Sequence, residues 1–264
     1  MVPEENALVP LRNRGFQYGD GAFETIRIHR GAPFRLDAHF ARLRQGLEIL
    51  GIEFAWPLDE LRQATRKITE SNSVSDGLVR ITITAGERAT TRGNAAITSR
   101  ALPDVPEHPT LHVATSVRRI SGPLSQCKSI SRAAESAALR EAETEGAYDA
   151  ILTNEKGRVV ETTSRNVFLV TDGGLWTPPA YDGALPGVTR GAVLEIARSE
   201  KLRVREASVS LDRLWSAEEL FLTGSGVGVL GVSSVDGRRF EPSGAVTQRI
   251  RDGYEAALER DSTW

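Results

Sequence analysis

The chain has 264 residues with a formal charge of −2, both signs being spread along its length, so it can bury a sizeable core and carries no field for nucleic acid or an anionic membrane. Its single cysteine excludes an intrachain disulfide and a multi-cysteine metal site. The first residues, MVPEENALVPLRNRG, lack the basic and apolar regions of a signal peptide, and no apolar run reaches membrane-spanning length. Composition therefore predicts a soluble cytoplasmic globular protein.

In chain order, GAFETIRIHRGAPFRL reads as two strands joined by a turn at Gly31. DAHFARLRQGLEILGI then changes to a helical period, with Phe40, Leu43, Leu47 and Leu50 on one face and Asp37 as N-cap. A second helix is expected near 58–70, followed by strands GLVRITITAG and TLHVATSVRRI. The polar, proline-bearing stretch between those strands reads as a loop. RISGPLSQC, 119–127, is the expected domain linker; it divides a first domain, 1–118, from a second, 128–264. Beyond it come a helix at about 131–145 and strands DAILTN, GRVVETT and NVFLVTD. The helix TRGAVLEIARSEK, strands RVREASVS and ELFLTGSGVGVLGVSSVDG, and a final helix complete the pattern. Helices and strands alternate without a regular βαβ rhythm, which predicts an α+β protein of two domains.

Lys128 stands just before an alanine-rich helix in CKSISRAAESAALREAETEG. The bland reading is a solvated surface charge. Ala133, Ala134, Ala137, Ala138 and Ala142, however, let a backbone or flat ligand approach closely. A lysine held against such a surface loses hydration, and its freed amine becomes a nucleophile. Glu161 lies between apolar strand runs in GRVVETTSRNVFLV. It is either an outward-facing residue or a buried carboxylate needing a cation such as a protonated pyridine nitrogen. In LPGVTR, the amides of Val188 and Thr189 follow Gly187 at a helix start, an arrangement that suits an anion as well as an ordinary turn. FLTGSGVGVLGV is either a plain hairpin turn or an amide nest. Arg42 in HFARL is either solvated or a phosphate clamp. An amine, a carboxylate and several anion-binding turns are together what a pyridoxal phosphate site requires.

Seven ordered blocks carry a resemblance: RGFQYGDGAFETIR, HFARL, VRITIT, KSIS, REAETEGAYDAILTNEKGRVVETTSRNVFLV, LPGVTR and FLTGSG. Together they resemble the fold-type IV, class-IV pyridoxal phosphate enzymes, which include branched-chain and D-amino-acid aminotransferases, (R)-amine transaminases and aminodeoxychorismate lyases. The resemblance implies a two-domain fold with the cofactor, pyridoxal 5'-phosphate, between the domains. It also implies a homodimer acting on an amino donor and a keto-acid acceptor. By position, Lys128 resembles the lysine that holds the cofactor as an internal aldimine and moves the proton. Glu161 resembles the pyridine-nitrogen partner. Arg42, Val188, Thr189 and Ser225 resemble the phosphate cup. Tyr18, Phe23, Thr25, Arg27 and Arg80 are similar in place to substrate-facing residues, with Arg88 or Arg92 as a further carboxylate clamp. Ser131 and Asn13 replace the family's usual Asn and Asp, while Arg132 in place of a tyrosine and FETIR argue against a standard branched-chain enzyme and, with RLRQGLEILGI, lean toward the aminodeoxychorismate-lyase branch. The expected activity is transamination; the alternatives are 4-amino-4-deoxychorismate lyase and a non-catalytic binding protein on the same fold.

Overall fold

The computed structural model describes residues 2–53, 56–87 and 93–264. A short helix α1 (Arg14–Tyr18) precedes the hairpin of β1 (Gly21–His29) and β2 (Ala32–Pro33), which turns at Gly31 with φ 76°. Helices α2 (Leu36–Leu50) and α3 (Leu58–Ser71) follow, then β3 (Gly77–Thr84) and β4 (Asn94–Arg100). These strands make a four-stranded antiparallel sheet in the order β2-β1-β3-β4. Phe40, Leu43 and Leu47 of α2 bury against Ile26, Ile28, Ile81 and Ile83 on one face of it, the stripe that the helical period marks in the sequence. The helix starts one residue before Asp37, which lies in its first turn and accepts a hydrogen bond from Arg62 rather than capping the helix end. The polar stretch expected to be a loop contains β4, because β3 offers an unpaired edge that a mostly exposed strand can fill.

The second body is built on a ten-stranded mixed sheet. Its elements are β5 (Thr110–Val113), α4 (Ala133–Thr144), β6 (Asp149–Thr153), β7 (Val159–Thr162), β8 (Asn166–Thr171) and β9 (Gly174–Thr177). They continue with α5 (Val188–Ser199), β10 (Val204–Glu206), α6 (Leu211–Ser216), β11 (Glu219–Gly224), β12 (Gly228–Gly231), β13 (Ser234–Val235), β14 (Arg238–Arg239) and α7 (Ala245–Asp261). The observed strand β5 is shorter than TLHVATSVRRI, and it pairs in parallel with β6. It thus lies in the large sheet although it precedes 119–127 in the chain. Strands β6, β7 and β8 are buried throughout, since the sheet is covered on both faces. Helices α5 and α7 pack on one face around Phe168, Phe221 and Tyr254. Ala138 and Ala142 of α4 lie against Ala150 and Leu152, which is the close approach their small side chains permit. Among the described residues no helix is long and apolar enough to cross a membrane.

After α7 the chain returns to the small sheet. Thr263 donates its amide to the Pro33 carbonyl at 3.2 Å, and the Trp264 ring joins the small core. The two bodies face one another across a cavity of about 1190 Å³.

Candidate active site

Lys128 is placed by backbone pairing. The Phe23 amide donates to the Lys128 carbonyl at 2.9 Å, and the Ile130 amide donates to Gly21 at 3.0 Å. Residues 128–130 thus run antiparallel to the start of β1, and the lysine side chain enters the cavity beside the Phe23 ring, its Nζ 4.8 Å from the centroid. Removal from water, and secondarily the Arg42 guanidinium, push its pKa down to about 8. Cys127, the preceding residue, is buried against Gly46 of α2.

Glu161 enters the same cavity from β7 and is 6 % exposed. Asn166 Nδ2 donates to its Oε2 at 3.1 Å, the Leu185 amide donates to the same oxygen at 3.0 Å, and Arg119 lies 3.1 Å from its Oε1. Burial raises its pKa above the ordinary carboxylate value, with Arg119 opposing the shift. Arg119 also pairs with Glu135. One guanidinium between two carboxylates leaves a net negative charge, which a cation placed against Glu161 would neutralise.

The anion-binding turns converge at the large-sheet side of the cavity. Val188 and Thr189 open α5, whose N-cap Gly187 offers no side-chain hydrogen bond. The same cavity is lined by Gly224, which ends β11, and by Ser225 and Gly226 after it. Thr223, a lining residue, is 1 % exposed, and its buried hydroxyl has no hydrogen-bond partner among the described residues. A buried hydroxyl without a partner is costly, and an anion in this cradle would satisfy it. These donors fit the phosphate of pyridoxal phosphate. Gly187 is required there because a β-carbon would lie 2.1 Å from the Asn166 carbonyl oxygen, displacing the residue that holds Glu161.

Arg42 reaches the cavity from α2 and is fixed from behind. Its Nε and Nη2 donate to the two oxygens of the fully buried Glu24 at 2.7 and 2.6 Å, and its Nη1 donates to the Pro186 carbonyl at 3.0 Å. His39 Nδ1 lies 2.7 Å from Glu24 Oε2. Burial raises the Glu24 pKa, but Arg42 and His39 overcome it and hold the carboxyl at about 2. Burial pushes His39 below its ordinary pKa. Arg42 is thus a preset cation tied to the turn that leads into α5.

Tyr18, Phe23, Thr25 and Arg80 line the cavity from the small body. Among the described residues nominated from the sequence, Arg27 alone lies outside the lining. It shares the face of β1 that carries Phe23 and Thr25, but further along the strand, where its Nη2 donates to Asp76 at 3.3 Å. Arg88 and Arg92 lie outside the described residues. Sequence reading missed Arg119, Asn166, Glu24, His39 and Thr223. Arg119 sits in the stretch read as a linker, and the others act through partners far away in the chain. A charged residue amid the apolar alternation of β1, as in FETIR, is a local signal that could have marked Glu24.

The profile of the amino-transferase class IV family matches residues 21–235. A D-alanine aminotransferase of Bacillus licheniformis is 28 % identical over 268 residues, covering 98 % of this chain and 94 % of that protein. The branched-chain amino acid aminotransferase of Escherichia coli superposes with a TM-score of 0.91 at 27 % identity, covering 97 % of this chain and 91 % of that one. A Legionella pneumophila protein provisionally assigned as 4-amino-4-deoxychorismate lyase gives 0.89 at 27 % identity, over 98 % and 97 % of the two chains. With its ordered motifs folded into one cavity and these likenesses running end to end, the chain belongs to the amino-transferase class IV family, as an enzyme of that class or of its closely related lyases.

Proposed function

We propose that the protein is a pyridoxal phosphate-dependent transaminase, moving an amino group between an amino acid or amine and a 2-keto acid. The observation that carries this reading is the pairing, in one cavity, of a lysine whose pKa falls to about 8 with a buried carboxylate and an anion cradle. When bound, the cofactor supplies an aldehyde for amine exchange and a pyridine ring that accepts electrons from the substrate α-carbon. Lys128 Nζ would anchor the cofactor covalently and, when freed by substrate, would serve as the base that moves the proton from the substrate α-carbon to the cofactor's aldehyde carbon. Glu161 keeps the ring nitrogen protonated, with Asn166 and the Leu185 amide fixing its carboxylate. Arg42, Val188, Thr189, Ser225 and Thr223 hold the phosphate. Tyr18, Phe23, Thr25 and Arg80 face the substrate.

The functional division falls near 119–127, the stretch that carries Arg119 into the site, with β5 before it already part of the large sheet. The working enzyme is a homodimer, supported by the exposed apolar side chains Tyr18, Ile120 and Leu124 at the cavity mouth. The lyase reading is the alternative. The likeness to the Legionella protein favours it, and both reactions share the same lysine and proton abstraction.

Purified protein is expected to be yellow, and borohydride to fix the cofactor to a peptide containing Lys128. Lys128→Ala is expected to abolish that adduct, and Glu161→Gln to keep the cofactor while losing most turnover. An unchanged adduct in Lys128→Ala rejects the reading. Conversion to the pyridoxamine form by D-alanine, L-leucine, L-glutamate or an (R)-amine identifies a transaminase. Pyruvate release from aminodeoxychorismate without any such conversion identifies the lyase.

A further inference from the structure

The carboxylates lining the cavity already have cationic partners. Asp20 accepts from Arg14 at 2.7 Å, and Glu135 and Glu161 share Arg119. Two lining arginines are neutralised from behind the wall, Arg42 by Glu24 and Arg165 by Asp149 at 2.6 Å. Among the described residues, the lining arginines Arg80, Arg100, Arg118 and Arg132 have no carboxylate partner, and Arg118 donates instead to the backbone carbonyls of Ala114, Thr115 and Val117. Arg80 donates Nε to the Thr82 hydroxyl at 3.2 Å, and Arg132 donates Nη2 to the Thr163 carbonyl, so each guanidinium keeps free N–H groups.

Both converge on one ring. The Arg80 Cζ is 3.6 Å and the Arg132 Cζ 6.0 Å from the centroid of Phe23, the ring that Lys128 Nζ approaches to 4.8 Å. Like charges gathered in a partly dry cavity repel one another, and an anion relieves that repulsion. Burial, then the Arg132 and Arg100 charges, lower the Arg80 pKa. Arg100, exposed on β4, adds positive field at the cavity rim. The phosphate does not meet this need, because its cradle is the separate set of Val188, Thr189, Thr223 and Ser225. A substrate with one carboxylate neutralises one guanidinium; a substrate with two matches both.

We propose that Arg132 acts with Arg80 to bind the two carboxylates of a dicarboxylic substrate, making the enzyme selective for dicarboxylic 2-keto acids and acidic amino acids. The proposal rests on the transaminase reading for the identity of the reaction, and Arg132 is its specificity-determining residue. The unreactive diacid glutarate and the monoacid butyrate are the probes, titrated into the purified holoenzyme by calorimetry. Glutarate is expected to bind at least about tenfold tighter than butyrate, in line with charge-assisted hydrogen bonds of ~1.5–3 kcal/mol. Arg132→Gln and Arg80→Gln are each expected to erase most of that preference, Arg132→Lys to restore part of it, and Arg205→Gln, an exposed charge outside the cavity, to keep it. Circular dichroism and cofactor absorbance identify any variant that fails to fold, and Arg132→Lys then decides the matter, since a full preference in that variant rejects a requirement for the guanidinium fork. Equal affinity of the two acids for wild type, or an undiminished preference in folded Arg132→Gln, overturns the proposal. Failure of the transaminase reading shows separately, as no borohydride adduct at Lys128, because glutarate binding needs no turnover.

Discussion

An ordinary lysine amine is almost wholly protonated at neutral pH and reacts slowly with aldehydes. Lys128 differs because its side chain stands in a cavity wall beside Phe23 and near Arg42, and its proton leaves at about 8 instead of 10.5. The shift is downward, so the neutral, nucleophilic form gains with rising pH and is nearly complete above the depressed pKa. Capture of pyridoxal phosphate by the apoprotein is therefore expected to accelerate about tenfold per pH unit below that value and to level off above it. Stopped-flow absorbance over pH 6–10 checks this, and a rate still climbing steeply near pH 10 would mean that Lys128 titrates like a surface lysine. The same depressed pKa makes the unfolded state bind more protons between about 8 and 10.5, so the contribution of Lys128 to stability grows as pH rises through that window.

Helix α7 shows how one element is held by a residue of another. Its first amides have no side-chain cap of their own, since Gly244 occupies the N-cap. Glu219 of β11 serves instead. It accepts from the Val246 amide at 3.2 Å and from the Thr247 amide and hydroxyl at 2.7 and 2.6 Å. The approach is so close that a β-carbon on Gly244 would lie 2.1 Å from the Glu219 carboxyl carbon. Glu219→Ala leaves these donors unsatisfied and is expected to cost about 2 kcal/mol, lowering Tm by several degrees in a thermal melt. A melt indistinguishable from wild type would show that solvent replaces the carboxylate. Because α7 packs on the large core while the residues after it join the small one, loosening this end is felt in both bodies.

At the scale of the whole molecule, large apolar side chains stand exposed at the cavity entrance and on the segment before α1. Ile120 is 77 % and Leu124 66 % exposed at the entrance, and Leu8 is 88 % and Leu11 74 % exposed on that segment. Exposed apolar side chains of this size mark a surface meant for covering. In the proposed homodimer a second copy covers it and completes the mouth of each cavity. Light scattering is expected to give twice the chain mass, and the double substitution Ile120→Asp with Leu124→Asp to yield monomers with weakened substrate binding. A monomeric wild type with full activity would contradict the proposal.

The elements were legible wherever the pattern is local. The period of α2, the turn at Gly31, the buried apolar strands β6 to β8 and the Gly187–Val188–Thr189 helix start follow from spacing and residue type alone. Short motifs, weak singly but ordered as a resemblance, nominated Lys128, Glu161, Arg42 and the anion-binding turns, and the packed chain brings these residues to one cavity. The sequence by itself did not reveal β4, whose polar residues form a strand only because β3 needs a partner along its edge. It did not separate Arg27 from Arg80 either. Both are arginines on neighbouring strands of one sheet, yet position along the strand puts one against Asp76 and the other into the cavity. Arg119 on Glu161 and Glu24 behind Arg42 were equally hidden, since a buried charge is defined by its partner. Sequence determined which segments become helix, strand and turn, through backbone preferences and hydrophobic period. Tertiary structure decided which charges meet, because ion pairing and desolvation depend on distances that only the packed chain sets.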